Sequence, residues 1–393
     1  MKKKAFNKLE ELFNEMVELR RHFHMYPELS FQEEKTAQTI AEYQKKLGLE
    51  VQTNVGGNGV VATLRGGKPG KTVAIRADFD ALPIEEENNV SYKSKNQGVM
   101  HACGHDAHTA IALGISNALA SMQEELEGNV VFIHQHAEEM GTGGAILMIE
   151  DGALTDVDAI FATHVANDVP IGKMLHSNDS IMAASDDFTI EIKGFGGHAG
   201  SPHNSIDVIS TGSQLVNNLQ QIVNRKIDPI IPAVLTVGSF HAGTSTNIIP
   251  EKATLEGTVR TADEHIRKEI PEWIEEITEH TAKTFGADYN FDYQFGYPVT
   301  KNDYSMNQIL VHAAKETIDE ENIIEMNPEM GSEDFAYFLQ HIPGSYFRIG
   351  SANEEKDLIY PHHHPKFDID ETVLLSGAKT LLAAVFAYWE NQN

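Results

Sequence analysis

The sequence predicts a mixed α/β fold in two domains, one inserted into the other. Three observations carry that prediction. The chain has 393 residues, beyond the roughly 100–200 of a single domain. In its first half, short β-rich runs alternate with helical periodicity, the pattern of a largely parallel sheet covered by helices. The middle third breaks the alternation with a β-α-β-β-α-β order, the split βαβ arrangement of ferredoxin-like α+β domains.

Residues 7–20 and 33–47 place apolar side chains at helical spacing. Residues 72–77 (TVAIRA), 130–134 (VVFIH) and 159–164 (AIFATH) read as strands, with helices over 107–127 and 144–151 between them. In such sheets functional groups gather at the carboxyl ends of the strands. Strands are then predicted over 188–194, 235–241, 254–261 and 289–295, with helices over 205–223 and 263–285. After Pro298 the α/β pattern returns, with a strand at 346–350 and a closing helix at 370–390. Hinges fall near Ala183 and Tyr297, so residues 1–183 plus 298–393 form one expected domain and 184–297 the inserted one.

Composition excludes several classes. Hydrophobic residues make up 41% and charged residues 22%, which argues against disordered and fibrous chains. The net charge of −28 argues against nucleic acid or an anionic membrane as partner, since both need a basic face. No apolar run is expected to reach the roughly 18–20 residues of a membrane span, and 381–389 reads as a buried helix. The basic start MKKKAFNKLEELF lacks a following apolar stretch, so an amphipathic helix and no export are expected. One cysteine, Cys103, forms no intramolecular disulfide and fits a reducing cytoplasm. The 19 histidines are clustered, six of them between His101 and His164 and three consecutive at His362, His363 and His364. Imidazole is the commonest metal ligand and titrates near neutrality, so a metal or acid–base site is indicated.

The segment HACGHDAH (101–108) sets Cys103 and His105 two residues apart in a Gly-containing turn that opens a helix. Thiolate beside imidazole suits a transition ion such as zinc, manganese, cobalt or nickel. An inert buried cysteine and a nucleophilic Cys–His pair are the other readings of the same residues. HQHAEEMG (134–141) puts Glu138 and Glu139 at a strand end directly after histidines. Two adjacent carboxylates repel, unless a cation neutralises one and leaves the other free to take a proton; a solvated acidic turn is the bland alternative. His164 ends the AIFATH run, and His363 lies in a His-rich turn before Pro365. In the middle third, glycines surround His198 in GFGGHAGSP (194–202), while Asn247 and Arg260 are polar residues placed to face a cleft. A lone arginine on a strand is more often a surface charge, although it can bind a carboxylate bidentately.

Taken in order, these segments resemble the aminoacylase/carboxypeptidase-type metal amidohydrolases, in the branch of hippurate hydrolases, N-acyl amino acid deacetylases and auxin-conjugate hydrolases. The resemblance also runs through RRHFHMYPE (20–28), RADFDALP (76–83), NIIP (247–250), GSEDF (331–335) and HHPKF (363–367). It implies that Cys103, His105, Glu139, His164 and His363 hold two divalent transition-metal ions per subunit, with Cys103 bridging. It implies Glu138 as general base and Asp80 as the carboxylate that orients a metal-ligating histidine. It implies a lid and dimerisation role for the inserted domain, whose His198 steadies the oxyanion in the partner's site, with Asn247 and Arg260 on the substrate. His363 is assigned by its two-residue spacing to Pro365. The expected protein is a cytoplasmic homodimer, or a tetramer, that cleaves N-acyl amino acids.

Three departures from the pattern stand out. His136 occupies a position where proline is common, three histidines occur where one is usual, and the segment after His164 (VAND) lacks bulky residues. A dipeptidase or carboxypeptidase on the same scaffold is the sibling reading. A cysteine hydrolase and a non-catalytic metal-binding dimerisation module are the others.

Overall fold

A computed structural model describes residues 1–392. By contact the chain divides into two compact units. The first comprises Met1–Ile181, Lys301–Asn327 and the chain from Asp334 on; the second comprises Met182–Thr300 and Pro328–Glu333.

The first unit is built on an eight-stranded sheet. Its spatial order is Glu50–Val55, Gly59–Leu64, Glu127–Gln135, Lys68–Asp78, Ala159–Pro170, Gly344–Ala352, Met174–His176 and Ile323–Glu325. The four strands from Glu127–Gln135 to Gly344–Ala352 are mutually parallel; the pairings on either side of them are antiparallel, and the edge strand Ile323–Glu325 then pairs parallel with Met174–His176. Side chains alternate across a strand, so Val73, Ile75 and Ala77 enter one core layer with Phe132 and Phe161. Helices Lys2–Met25, His105–Ala120 and Val373–Gln392 pack together over that layer. The intervening Arg76 has the opposite parity and joins a buried polar network.

The structure departs from the sequence reading in several places. The strand 159–164 continues to Pro170, because its pairing with Gly344–Ala352 persists after its pairing with Lys68–Asp78 stops at Arg76↔Ala162. His164 therefore sits within a strand, just past the end of one neighbour. The hairpin Glu50–Val55/Gly59–Leu64 was not anticipated. The helix from His105 ends at Ala120, seven residues before the predicted end. Val373–Gln392 is, by length and composition, long and apolar enough to cross a membrane, contrary to the expectation that no run is. Within that helix, 78% of the apolar window is buried, as in a core helix.

The second unit is an antiparallel four-stranded sheet in the order Ala233–Ala242, Lys252–Thr261, Ala184–Lys193 and Asp288–Phe295. With helices Val208–Gln221 and Glu264–Phe285 packed on it, this is the ferredoxin-like order. Both helices start at aspartate caps: Asp207 accepts from Ile209 and Ser210 N–H, and Asp263 from His265 and Ile266 N–H.

Candidate metal centre

At the carboxyl edge of the parallel strands, the first unit gathers Cys103, His105, Glu139, His164, His362 and His363. Gly104 makes the turn between the first two possible. Its φ is 86°, and a Cβ there would meet Val165 Cγ2 at 2.2 Å. Ligand atoms of Cys103, His105 and Glu139 lie within 4.8 Å of one another, and so do those of Cys103, His164 and His362. Cys103 thus belongs to both groups. His363 Nε2 lies 3.3 Å from Glu139 Oε1.

Hydrogen bonds sort these imidazoles into two kinds, because a ring nitrogen facing a carbonyl must donate and one facing an N–H must accept. His105 Nδ1 donates to Asp80 O at 3.0 Å and lies 3.1 Å from Asp80 Oδ1. His164 Nδ1 donates to Val165 O at 2.7 Å. In the neutral ring each then turns an Nε2 lone pair inward. His105 Nε2 is buried and has no hydrogen-bond partner among the described residues, while His164 Nε2 is 3.5 Å from Cys103 Sγ. Metal-ligating histidines are commonly fixed in this way, through the other nitrogen. His108 is the opposite case. Its Nε2 accepts Val165 N–H at 2.9 Å and its Nδ1 donates to Asp78 at 2.6 Å, so no lone pair remains for an ion. His362 Nε2 likewise accepts Asn167 N–H at 3.2 Å.

Electrostatics favour a cation here. Burial, then the carboxylates of Glu139, Glu138 and Asp78, push the Cys103 thiol well up, so an unassisted thiolate is disfavoured. Burial opposes charging of His105, yet Asp78, Asp80 and Glu139 together hold it up at about 10. The same carboxylates would attract a metal ion in place of that proton. The buried lone pair of His105, the thiol and the carboxylate therefore fit a borderline-soft divalent ion.

Supports for these groups were only partly expected. Asp80 binds His105 and also accepts Glu139 N–H at 3.0 Å and Ser30 Oγ–H at 2.7 Å. Arg76 donates to Gln135 and bridges Asp78 at 2.5 Å and Asp334 at 2.9 Å. Glu138 is buried, with a carboxylate oxygen within 4.8 Å of one on Asp334. Ala137 before it adopts a left-handed φ of 54°, its N–H held by Glu33 Oε1 at 2.9 Å. His136 joins none of the ligand groups found among the described residues; it is buried against the edge of Phe31 at 5.6 Å. His364 accepts Lys366 N–H and stacks on Tyr360.

The remaining candidates lie in the second unit. His198 is exposed, in a two-residue strand paired with Ile248–Ile249. Its Nδ1 accepts Gly200 N–H at 3.0 Å, which leaves Nε2–H as a free donor in the neutral ring. Asn247 adjoins it through Ala199 N–H to Asn247 O at 3.1 Å. Arg260 is elsewhere. Lys252 marks the His198 end of its strand, and Arg260 lies eight residues further along, about 26 Å at ~3.3 Å per residue. Its guanidinium meets Thr258 and Val259 O and no carboxylate among the described residues.

A thiol, imidazoles with committed second nitrogens and a pair of carboxylates at a sheet edge define a class: metal-dependent hydrolases. Residues 74–387 match peptidase family M20/M25/M40. The chain is 45% identical, over 75% of its length and 80% of the relative's, to the N-acyl-L-amino acid amidohydrolase of Geobacillus stearothermophilus. It is 40% identical over 98% of both chains to thermostable carboxypeptidase 1 of Saccharolobus solfataricus. Its fold matches the crystal structure of the Bacillus subtilis YXEP protein, a dinuclear metal-binding peptidase, with a TM-score of 0.84 and 34% identity over 96% of this chain and 99% of that one. The chain belongs to the M20 family and is a metal-dependent amidohydrolase.

Proposed function

We propose that the enzyme hydrolyses the amide bond of N-acyl amino acids, releasing a carboxylate and an amine. The observation that carries this reading is the convergence of the His105 and His164 lone pairs, Cys103 and the Glu139 carboxylate on one small volume, beside a second buried carboxylate, Glu138. Cys103, His105, Glu139, His164 and His363 would hold two divalent ions, zinc, manganese, cobalt or nickel. Membership of both ligand groups suits Cys103 to bridging. Bound there, the ions supply Lewis-acid polarisation of the amide carbonyl and make water acidic enough to ionise near neutral pH. Glu138 accepts the proton of the attacking water and delivers it to the departing amine. His198 Nε2–H donates to the oxyanion of the tetrahedral intermediate, and Asn247 and Arg260 hold the substrate.

Residues 1–183 plus 298–393 act as the catalytic domain and 184–297 as lid and dimerisation domain of a cytoplasmic homodimer. The separation of Arg260 from the His198–Asn247 pair supports such a dimer, because one small substrate does not reach both within one copy. Similarity to the Geobacillus amidohydrolase favours the acyl amino acid, and Arg260, which meets no carboxylate among the described residues, suits its carboxylate. Similarity to the Saccharolobus carboxypeptidase favours the sibling reading. Metal-reconstituted protein assayed against N-acetyl and N-benzoyl amino acids beside dipeptides and blocked peptides separates the two. We expect kcat/KM to be highest on the acyl amino acids. Preference for peptides with a free C-terminal residue would establish the carboxypeptidase, and activity that survives chelation would point to a thiol nucleophile.

A further inference from the structure

Of the three consecutive histidines the ligand set uses His363 alone, and His364 turns away to Lys366 N–H and Tyr360. His362 lies beside Cys103, with its Nδ1 3.4 Å from Sγ. Its other nitrogen decides what that contact is. Nε2 faces the backbone N–H of Asn167 at 3.2 Å, and a backbone N–H only donates. The neutral ring therefore carries its proton on Nδ1, and Nδ1–H points at sulfur. A ring protonated at Nδ1 has no lone pair there to give an ion, so proximity to Cys103 and His164 does not make His362 a ligand.

The surroundings hold this ring in place. Asn167 is itself fixed, donating through Nδ2 to Tyr360 O at 2.7 Å and accepting Ser351 Oγ–H at 3.1 Å. The ring packs edge-on to Phe367 at 5.1 Å. Backbone bonding of His363 N–H to Ala102 O at 2.8 Å ties the histidine turn to the cysteine turn. Cys103 is half-buried with the Glu139 carboxylate close by, a setting in which a sulfur anion gains from a donor.

We propose that His362 is a positioning residue that donates an Nδ1–H···S hydrogen bond to the Cys103 thiolate, stabilising the anion and aiming its lone pairs at the metal site. The inference rests on the reading of Cys103 as a metal ligand.

The test uses full-length, metal-free protein titrated with Co(II), followed by the near-ultraviolet thiolate-to-cobalt absorption and by competition with a chromophoric chelator. Asparagine places an amide N–H close to the position of Nδ1, and glutamine places one close to Nε2. His362→Leu should weaken cobalt binding by about 10–100-fold, the usual cost of losing an outer partner of a ligand. It should also move the thiolate band to longer wavelength, since a bare sulfur gives up its electron more readily. His362→Asn should restore both towards wild type, and His362→Gln should behave like His362→Leu. Unchanged affinity and band in His362→Leu would overturn the proposal, and so would rescue by Gln but not Asn. Loss of a whole equivalent of cobalt at saturation would make His362 a ligand and overturn the donor role. A wild-type protein that binds cobalt with no thiolate band would instead remove Cys103 from the metal site, and this inference with it.

Discussion

The cluster around Cys103 and the loop around His198 are built in opposite ways. In the first, both nitrogens of His108 are engaged by protein, and the outward-facing nitrogens of His105 and His164 are bonded to acceptors. What is left facing inward is the buried His105 Nε2, without a hydrogen-bond partner among the described residues, and the half-buried His164 Nε2 beside Cys103, a set suited to a cation. In the second, His198 is exposed, held at Nδ1 alone, and flanked by Phe195 at 61% and Ile248 at 56% exposure. Its Nε2–H has no acceptor among the described residues. A prearranged pocket needs second partners that fix every ring, whereas a group that meets substrate or a second subunit keeps its working atom in solvent. Side chains of the same type thus serve two chemistries through what their other nitrogen touches.

The largest expected effect breaks the first region. Glu139→Gln should lose metal and with it all turnover, because Glu139 approaches both His363 and the Cys103–His105 group. Glu138→Gln should keep its metal and lose about 10²–10⁴ in kcat, the usual cost of a general base. Metal content by elemental analysis beside kcat checks the pair. Metal loss in Glu138→Gln with full activity in Glu139→Gln would reverse the two roles.

The second region is tested by mixing. His198→Ala should retain metal and fall by about 10²–10³ in kcat, as for other lost oxyanion donors. If the histidine serves the partner's site, combining that variant with Glu138→Gln and exchanging subunits at random makes half the dimers mixed, each with one complete site. About a quarter of wild-type activity should return. Demonstrated exchange with no recovery would confine His198 to its own chain.

The two regions were unequally legible in the sequence. Short segments already carried the ligand types: Cys103 and His105 in one turn, Glu138 and Glu139 in another, and Asp80 near a strand end. The alternating β and α pattern put them at one edge. The roles of His108 and His362 could not be read, because the backbone N–H groups that fix their tautomers belong to Val165 and Asn167, far away in sequence. The triple histidine was visible as an oddity without a meaning. In the fold, the hairpin before Leu64 was missed although Gly56 and Gly57 take positive φ in its turn. Its first strand is a mostly exposed edge, so its polar residues give no apolar alternation to detect. Arg260 was visible as a lone strand arginine. Its distance from His198 depends on strand register, which composition does not encode.

The smallest expected effect concerns the join beneath the catalytic carboxylates. Ala137 is a non-glycine residue at positive φ, immediately before Glu138, and Glu33 is the group that holds its N–H, with Asn58 on the other oxygen at 3.0 Å. Burial, with some help from the Asp80 carboxylate, pushes Glu33 up from 4.5 to about 7. A carboxyl whose pKa is raised by folding binds more protons folded than unfolded between those values, so stability falls as pH rises through that window. Its contribution is complete below about 4.5 and lost above about 7, on the order of 3 kcal/mol across the interval. Glu33→Gln removes the titration. It also presents an NH₂ to one of two N–H donors, so the variant should be less stable at low pH yet lack this slope. Urea unfolding of both metal-free proteins from pH 4.5 to 7.5 isolates the residue, because every other titration is shared and cancels in the difference. The stability gap between wild type and variant should narrow steadily with pH. A constant gap would mean that folding leaves the ionisation of Glu33 unchanged and that its carboxylate holds the turn before Glu138.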